Sequence, residues 1–184
     1  MELIKTPIQD LILLKPKVHG DQRGWFIESY SHETLSKAGI SINFVQDNHS
    51  YSQHKGTLRG LHFQIGDKSQ TKLVRCTKGE ILDVVVDLRK NSPNYLQHYT
   101  VKLSEKNYLQ LLVPKGFAHG FITLCDDAEI QYKVDEYYSQ AHDSGVIYND
   151  PNFSIPWNAY VSEPYILSDK DLKLRPFSES EHAF

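Results

Sequence analysis

Short runs of alternating polar and apolar residues, cut at fairly even intervals by turn formers, dominate this chain and restrict it to sheet architectures. In Ala128-Glu-Ile-Gln-Tyr-Lys-Val134 the even-numbered positions are apolar or aromatic and the odd ones polar. Successive side chains of a strand point to opposite faces, so this run predicts a strand with one face on a core. Leu82, Val84, Val86 and Leu88 make a second such face; Ile81 and Val85 on the reverse predict a strand covered on both sides. Tyr99, Val101 and Leu103 alternate with Thr100 and Lys102, and Leu109, Leu111 and Val113 follow a turn over 104–107. Breaks fall near Gly20, Gly56, Gly66, Gly79, Asn91-Ser-Pro, Pro114-Lys-Gly116 and Asp126-Asp127. Many short strands at this spacing predict an all-β sandwich or jelly roll, which doubles or closes its sheet to protect strand edges. One short helix is expected, with Ser31 as N-cap, Glu33 in its first turn, Leu35 and Ala38 within and Gly39 as the stop. A second helical piece is expected after Ser168.

The 184 residues suit one domain spanning 1–184, with no linker or repeat. Twenty basic against 23 acidic residues leave a net charge of −3. That balance gives no footprint for nucleic acid or an anionic membrane, although a local pocket for a small anion remains open. The N-terminus lacks the features of a signal peptide. No apolar run approaches the roughly 18 residues of a membrane span, and the best candidate is flanked by Asp83 and Asp87. Cys76 and Cys125, far apart and outside any Cys-x-x-Cys pattern, read as reduced thiols of a cytoplasmic protein.

Among the nine histidines, His32, His54, His98, His142 and His182 lie in polar surroundings and are expected to be solvated. His62 follows an arginine and a glycine on a strand-like run, and His119 sits between Phe117 and Phe121 beside Gly116 and Gly120. Each is either a hydrogen-bonded core histidine or a catalytic one. With no third ligand in evidence, no metal site is expected. Lys72 shares a strand face with Val74 and Cys76, so it either enters a partly dry cavity or snorkels from an edge. Tyr132 points inward, as a core residue or a site residue. Arg59 and His62, three apart, fall on opposite faces of an ideal strand. Either Gly60 marks a bulge that turns both to one cavity, or Arg59 serves another surface. The run from Asp21 to Glu28 holds Arg23, Trp25 and Phe26, which is either an ordinary turn or a device for gripping phosphate and stacking on a base.

Taken together, the segments resemble the dTDP-4-dehydrorhamnose 3,5-epimerases, the cupin-fold enzymes of dTDP-rhamnose synthesis. The similarity runs nearly end to end. It rests on Asp21-x-Arg-Gly-x-Phe26-x-Glu28, Phe44-Val-Gln-Asp-Asn-His-Ser50, Leu58-Arg-Gly-Leu-His-Phe-Gln64 and Lys72-Leu-Val-Arg75. It continues in Gly79-Glu-x-x-Asp-Val-x-Val-Asp-Leu-Arg89, Pro114-x-Gly-Phe-Ala-His-Gly-Phe121, Tyr132-Lys133, Asn149-Asp-Pro151 and Leu167-Ser-x-Lys-Asp171. The resemblance implies a double-stranded β-helix acting as a homodimer, without metal or other cofactor. Its substrate would be dTDP-4-dehydro-6-deoxy-D-glucose, inverted at C3 and C5 to dTDP-4-dehydro-L-rhamnose.

It also implies roles. His62 would be the base, Asp171 its orienting partner and Tyr132 the acid on the opposite face. Arg23, Phe26, Glu28, Gln46, Asn48, Arg59, Lys72, His119, Asp143 and Lys170 would contact substrate, with Arg23 and Phe26 on an N-terminal strand exchanged between subunits. The chain departs from the family pattern at Asp143, where Glu is expected, at Tyr148, where Trp is usual, and at Trp25, which replaces a smaller aromatic. The alternatives are a C3-only or C5-only epimerase on the same scaffold, a metal-dependent cupin oxygenase and a non-catalytic binding cupin.

Overall fold

Period-two alternation becomes two facing sheets. The structure is a computed structural model that describes residues 1–180 and 184. The first strands are β1 (Glu2–Lys5), β2 (Ile12–Lys15), β3 (Val18–Asp21), β4 (Gly24–Ile27), β5 (Gln46–Ser52) and β6 (Leu58–Gln64). They are followed by β7 (Lys72–Lys78), β8 (Glu80–Asp87), β9 (His98–Ser104), β10 (Gln110–Val113), β11 (Phe117–Thr123), β12 (Ala128–Val134) and β13 (Asp143–Gly145). One sheet has the order β1-β2-β10-β7-β12-β5, the other β13-β6-β11-β8-β9, and β3 and β4 form a separate hairpin. This is the all-β jelly roll expected of the sequence.

Side chains from both sheets, among them Val74, Ile81, Val85, Leu111, Phe121 and Ile130, form the core between them. Leu82, Val84 and Val86 turn the other way, under Phe153, Trp157 and Phe177 of the C-terminal segment. The strand covered on both sides is therefore β8. Burying each such side chain contributes about 1.5–3 kcal/mol relative to leaving it exposed. The outer face of the larger sheet carries Leu14, Leu73 and Leu112, capped by Leu35 of helix α1 (His32–Lys37). Ser31 Oγ accepts from the Thr34 amide at 3.2 Å, and Ala38, expected inside the helix, is its C-cap. Gly39 follows with φ of +84°, a left-handed turn that suits glycine. A second helix, α2 (Asp169–Leu172), starts directly after its N-cap Ser168.

Two histidines depart from expectation. His98 is half-buried, with Nδ1 2.7 Å from the Phe153 carbonyl, and His142 is half-buried with Nδ1 2.8 Å from Ser139 Oγ. Folding brings the distant Phe153 carbonyl to His98, whereas His142 meets Ser139 three residues back across a short turn. His32 and His54 are exposed, and His182 lies outside the described residues.

The irregularity that matters for the site lies between β6 and β11. His119 pairs with His62 and Phe121 with Arg59, so two steps on β11 match three on β6. This is a bulge at Gly60, where φ is +128° and the Gly60–Leu61 peptide bond is cis. The extra residue lets Leu58, Leu61 and Phe63 all join the outer cluster while Arg59 and His62 face the same cavity. Of the two readings of Arg59, the bulge is the one the molecule adopts. The strands approach closely here: a Cβ on Gly120 would lie 2.6 Å from the Arg59 carbonyl oxygen and 3.1 Å from Gly60 Cα. Gly120→Ala is expected to destabilise the fold by about 1–3 kcal/mol, as overpacking does. Thermal unfolding checks this; an unchanged Tm would show that the strands can part freely.

Candidate active site

The floor of the cavity is a buried carboxylate aimed at an imidazole. Asp171, on the first turn of α2, is 3% exposed, and its Oδ1 lies 2.7 Å from His62 Nε2 on β6. The angle at Nε2 is poor for a straight hydrogen bond, but the separation is that of a charge-assisted contact. Asp171 Oδ1 also accepts from the Gly60 amide at 3.2 Å, and Oδ2 accepts from Ser168 Oγ at 2.6 Å. Burial alone would raise this carboxyl's pKa. The bonds from His62, Ser168 and Gly60 outweigh it and bring the value down to about 2. Because the folded value lies below the ordinary 3.8, the stabilisation is present above that pH and is lost as pH falls through about 2. Asp171 therefore stays ionised and fixes the ring of His62, leaving Nδ1 as the nitrogen with the available lone pair.

Around His62 the cavity, about 240 Å³, is lined by Arg59, Lys72, His119, Tyr132, Lys170 and Asp171, among others. Lys72 and Tyr132 come from the larger sheet and His62 and His119 from the smaller, so the groups face each other across the sandwich. Burial pulls the Lys72 ammonium down to about 8; Asp143 and Asp83 support its charge and Lys170 opposes it. Burial raises the Tyr132 phenol, against Arg59 and Lys170, so it remains protonated at neutral pH. His119 Nε2 sits 2.9 Å from the fully buried Asp83. Arg59 is tethered from behind, its Nη2 donating to the Tyr51 carbonyl at 3.2 Å.

An adjoining hollow of about 340 Å³ shares His62, Lys72, Tyr132 and Lys170 and adds Gln46, Asn48, Tyr138 and Asp143. Gln46 Nε2 donates to Asn48 Oδ1 at 2.9 Å. Asp143 accepts from Tyr138 OH at 3.1 Å and is ion-paired with Lys170. Arg23, Phe26 and Glu28 are not brought to either space. Arg23 pairs with Asp21 on the exposed β3–β4 hairpin, Phe26 is 68% exposed, and Glu28 accepts from Thr34 Oγ1. Trp25, on the opposite side of the same strand, rests edge-on against Tyr108 at 5.0 Å. Tyr148 packs against Tyr165 in a different cleft. Among the described residues, no three His, Cys, Asp or Glu side chains converge as metal ligands.

A family model described as dTDP-4-dehydrorhamnose 3,5-epimerase matches residues 5–179. The chain belongs to the dTDP-4-dehydrorhamnose 3,5-epimerase family. One relative, the dTDP-4-dehydrorhamnose 3,5-epimerase of Shigella flexneri, is 45% identical over 99% of each chain. The crystal structure of the Bacillus anthracis epimerase with TDP and PPi bound has a TM-score of 0.92 at 52% identity, covering 96% of this chain and 99% of that one. The Legionella pneumophila dTDP-6-deoxy-D-glucose-3,5-epimerase, in complex with dTDP-4-keto-L-rhamnose, has a TM-score of 0.91 at 41% identity over 97% and 93%.

Within this epimerase-family site, two participants escaped the sequence reading. The sequence places a helical piece after Ser168 without giving that serine a role; it is the N-cap of α2, and its hydroxyl also holds Asp171. Asp83 was legible only as a charge beside an apolar run, although it sits between Ile81 and Val85 on the face that looks into the sandwich. That position, an acid in the middle of an inward apolar face, was the available signal.

Proposed function

We propose that this chain epimerises dTDP-4-dehydro-6-deoxy-D-glucose at C3 and C5 to dTDP-4-dehydro-L-rhamnose. What carries the reading is one cavity in which the Asp171–His62 pair on one sheet faces Tyr132 and Lys72 on the other. Hydrogens at C3 and C5 are acidified by the C4 carbonyl between them. His62 Nδ1 takes the proton, the C–H electron pair moves into an enolate, and Asp171 stabilises the imidazolium that forms. Negative charge builds on the C4 oxygen, where the Lys72 ammonium is preorganised to meet it. Tyr132 then gives its proton to the same carbon from the other face, and the enolate pair re-forms the ketone. Solvent restores the phenol and the neutral imidazole before the second carbon reacts.

Arg59 and Lys170 supply cationic groups for the diphosphate and sugar, His119 turns its Nδ1 edge to the sugar, and Gln46, Asn48 and Asp143 line the approach. No cofactor takes part. The active unit is a homodimer: among the described residues, Arg23, Phe26 and Glu28 line neither the cavity nor its adjoining hollow, and the hairpin exposes Val18, Trp25 and Phe26 as a surface for a second copy. One domain over 1–184 carries the site, and the cytoplasm is its compartment, supported by the free thiols of Cys76 and Cys125.

The direct test is proton NMR of the sugar nucleotide after incubation with the purified protein in ordinary water. Ring couplings that change at both C3 and C5 support the assignment; unchanged couplings overturn it. A pH prediction follows from Lys72. Turnover should fall above about pH 8, as the ammonium loses its proton. A pH–rate profile flat to pH 10 would remove Lys72 from the enolate step.

A further inference from the structure

Asp83 is a buried charge that the reaction just described does not use. It lies at the middle of β8, fully buried, with Oδ2 2.9 Å from His119 Nε2 and with Oδ1 buried and unpartnered among the described residues. Buried carboxylate oxygens are rarely left unpaired, and an apolar side chain of similar size would pack between Ile81 and Val85 without that penalty. The position is explained if the charge itself serves the cavity. Three features agree with this. The cavity-lining ring of His119 stands in front of the carboxylate, held by Nε2, so its Nδ1 edge is the one left for the cavity. His119 is also the direct cross-strand partner of His62, placing it beside the base. Finally, Lys72 lines the same cavity as the His119 ring that stands on Asp83, so the carboxylate's negative charge lies behind the wall facing that ammonium and supports it.

The charged and titratable groups around Lys72 are Arg59 and His62 on β6, Asp83 on β8, His119 on β11, Tyr132 on β12, Tyr138 and Asp143 beside and on β13, and Lys170 and Asp171 of α2. Of the three carboxylates, Asp171 is committed to His62 and Asp143 to Lys170. Among the described residues, Asp83 has a free oxygen and pairs with no Lys or Arg.

We propose that Asp83 is a positioning residue for the epimerisation: it orients His119 with Nδ1 toward the substrate and sustains positive charge at Lys72 where the enolate oxygen forms. It touches no substrate and acts through those two side chains. The inference rests on the proposed function, because it assigns Asp83 to the enolate step of that reaction.

Asp83→Asn keeps the size and an oxygen for the Nε2–H of His119 while removing the charge. It is expected to lower kcat by about 10–100-fold, as loss of an orienting partner does, with a smaller rise in KM through the substrate contact of His119, because the charge acts chiefly on the enolate step. The alkaline limb of its pH–rate profile should move to lower pH than in the wild type. Unchanged kcat with an unmoved limb overturns the proposal, as does a rise in KM alone. If the wild type shows no epimerisation, the functional reading itself fails, and the two failures are distinguishable. Should the variant not fold, histidine ¹⁵N NMR of the wild type still decides the orienting role. The His119 signals, assigned by comparison with His119→Asn, should carry a proton on Nε2; a ring protonated on Nδ1 alone overturns the proposal.

Discussion

His62→Ala is expected to lower kcat by about 10³–10⁴-fold, at the upper end of what a positioned general base contributes. Burial keeps the Tyr132 phenol protonated, so that group cannot take over as the base at neutral pH. The fold should survive, because Asp171 retains its bonds from Ser168 and the Gly60 amide after the imidazole is removed. Part of its depressed pKa comes from His62, so the variant should also lose some stability near neutral pH, about 1–2 kcal/mol. His62→Asn, which preserves a donor near Asp171, should recover stability without recovering rate. Steady-state kinetics paired with a melting curve read both quantities; near-normal turnover in either variant would take His62 out of the mechanism.

Tyr132→Phe separates the two halves of an inversion. The ring should still pack against the core cluster, so stability changes little. Proton abstraction by His62 remains possible, and the imidazolium can exchange with solvent and return a proton to the face it came from. In heavy water, the variant should therefore wash out carbon-bound hydrogen faster than it inverts configuration. Net inversion should drop by about 10²–10⁴-fold, the range for loss of a general acid. If washout and inversion fall by the same factor, Tyr132 is no dedicated donor.

Much of this arrangement was visible in local pattern. The alternation of Ala128–Val134 gave β12 with its inward tyrosine, and the Ser31 and Ser168 signals located both helix starts. What local pattern cannot encode is register between strands distant in the chain. The bulge at Gly60 depends on how β6 meets β11, so the sequence left Arg59 with two possible faces. His98 is a second case, since only the folded C-terminal segment brings the Phe153 carbonyl to its ring. Asp83 is a third: its neighbours Leu82 and Val84 face outward, and its environment is decided by Ile81, Val85 and the histidine across the strand. The Arg23–Glu28 segment marks a different limit. Its residues lie on a hairpin outside their own cavity, where neither pattern nor a single chain supplies their contacts.

One base serving two carbons is the center of this account, and deuterium incorporation at each carbon tests it directly. With the purified protein and dTDP-4-dehydro-6-deoxy-D-glucose in heavy water, proton NMR should show the C3 and C5 signals both lost with wild type and both retained with His62→Ala. A His62→Ala protein that still exchanges either position, or a wild type that labels only one, would contradict it.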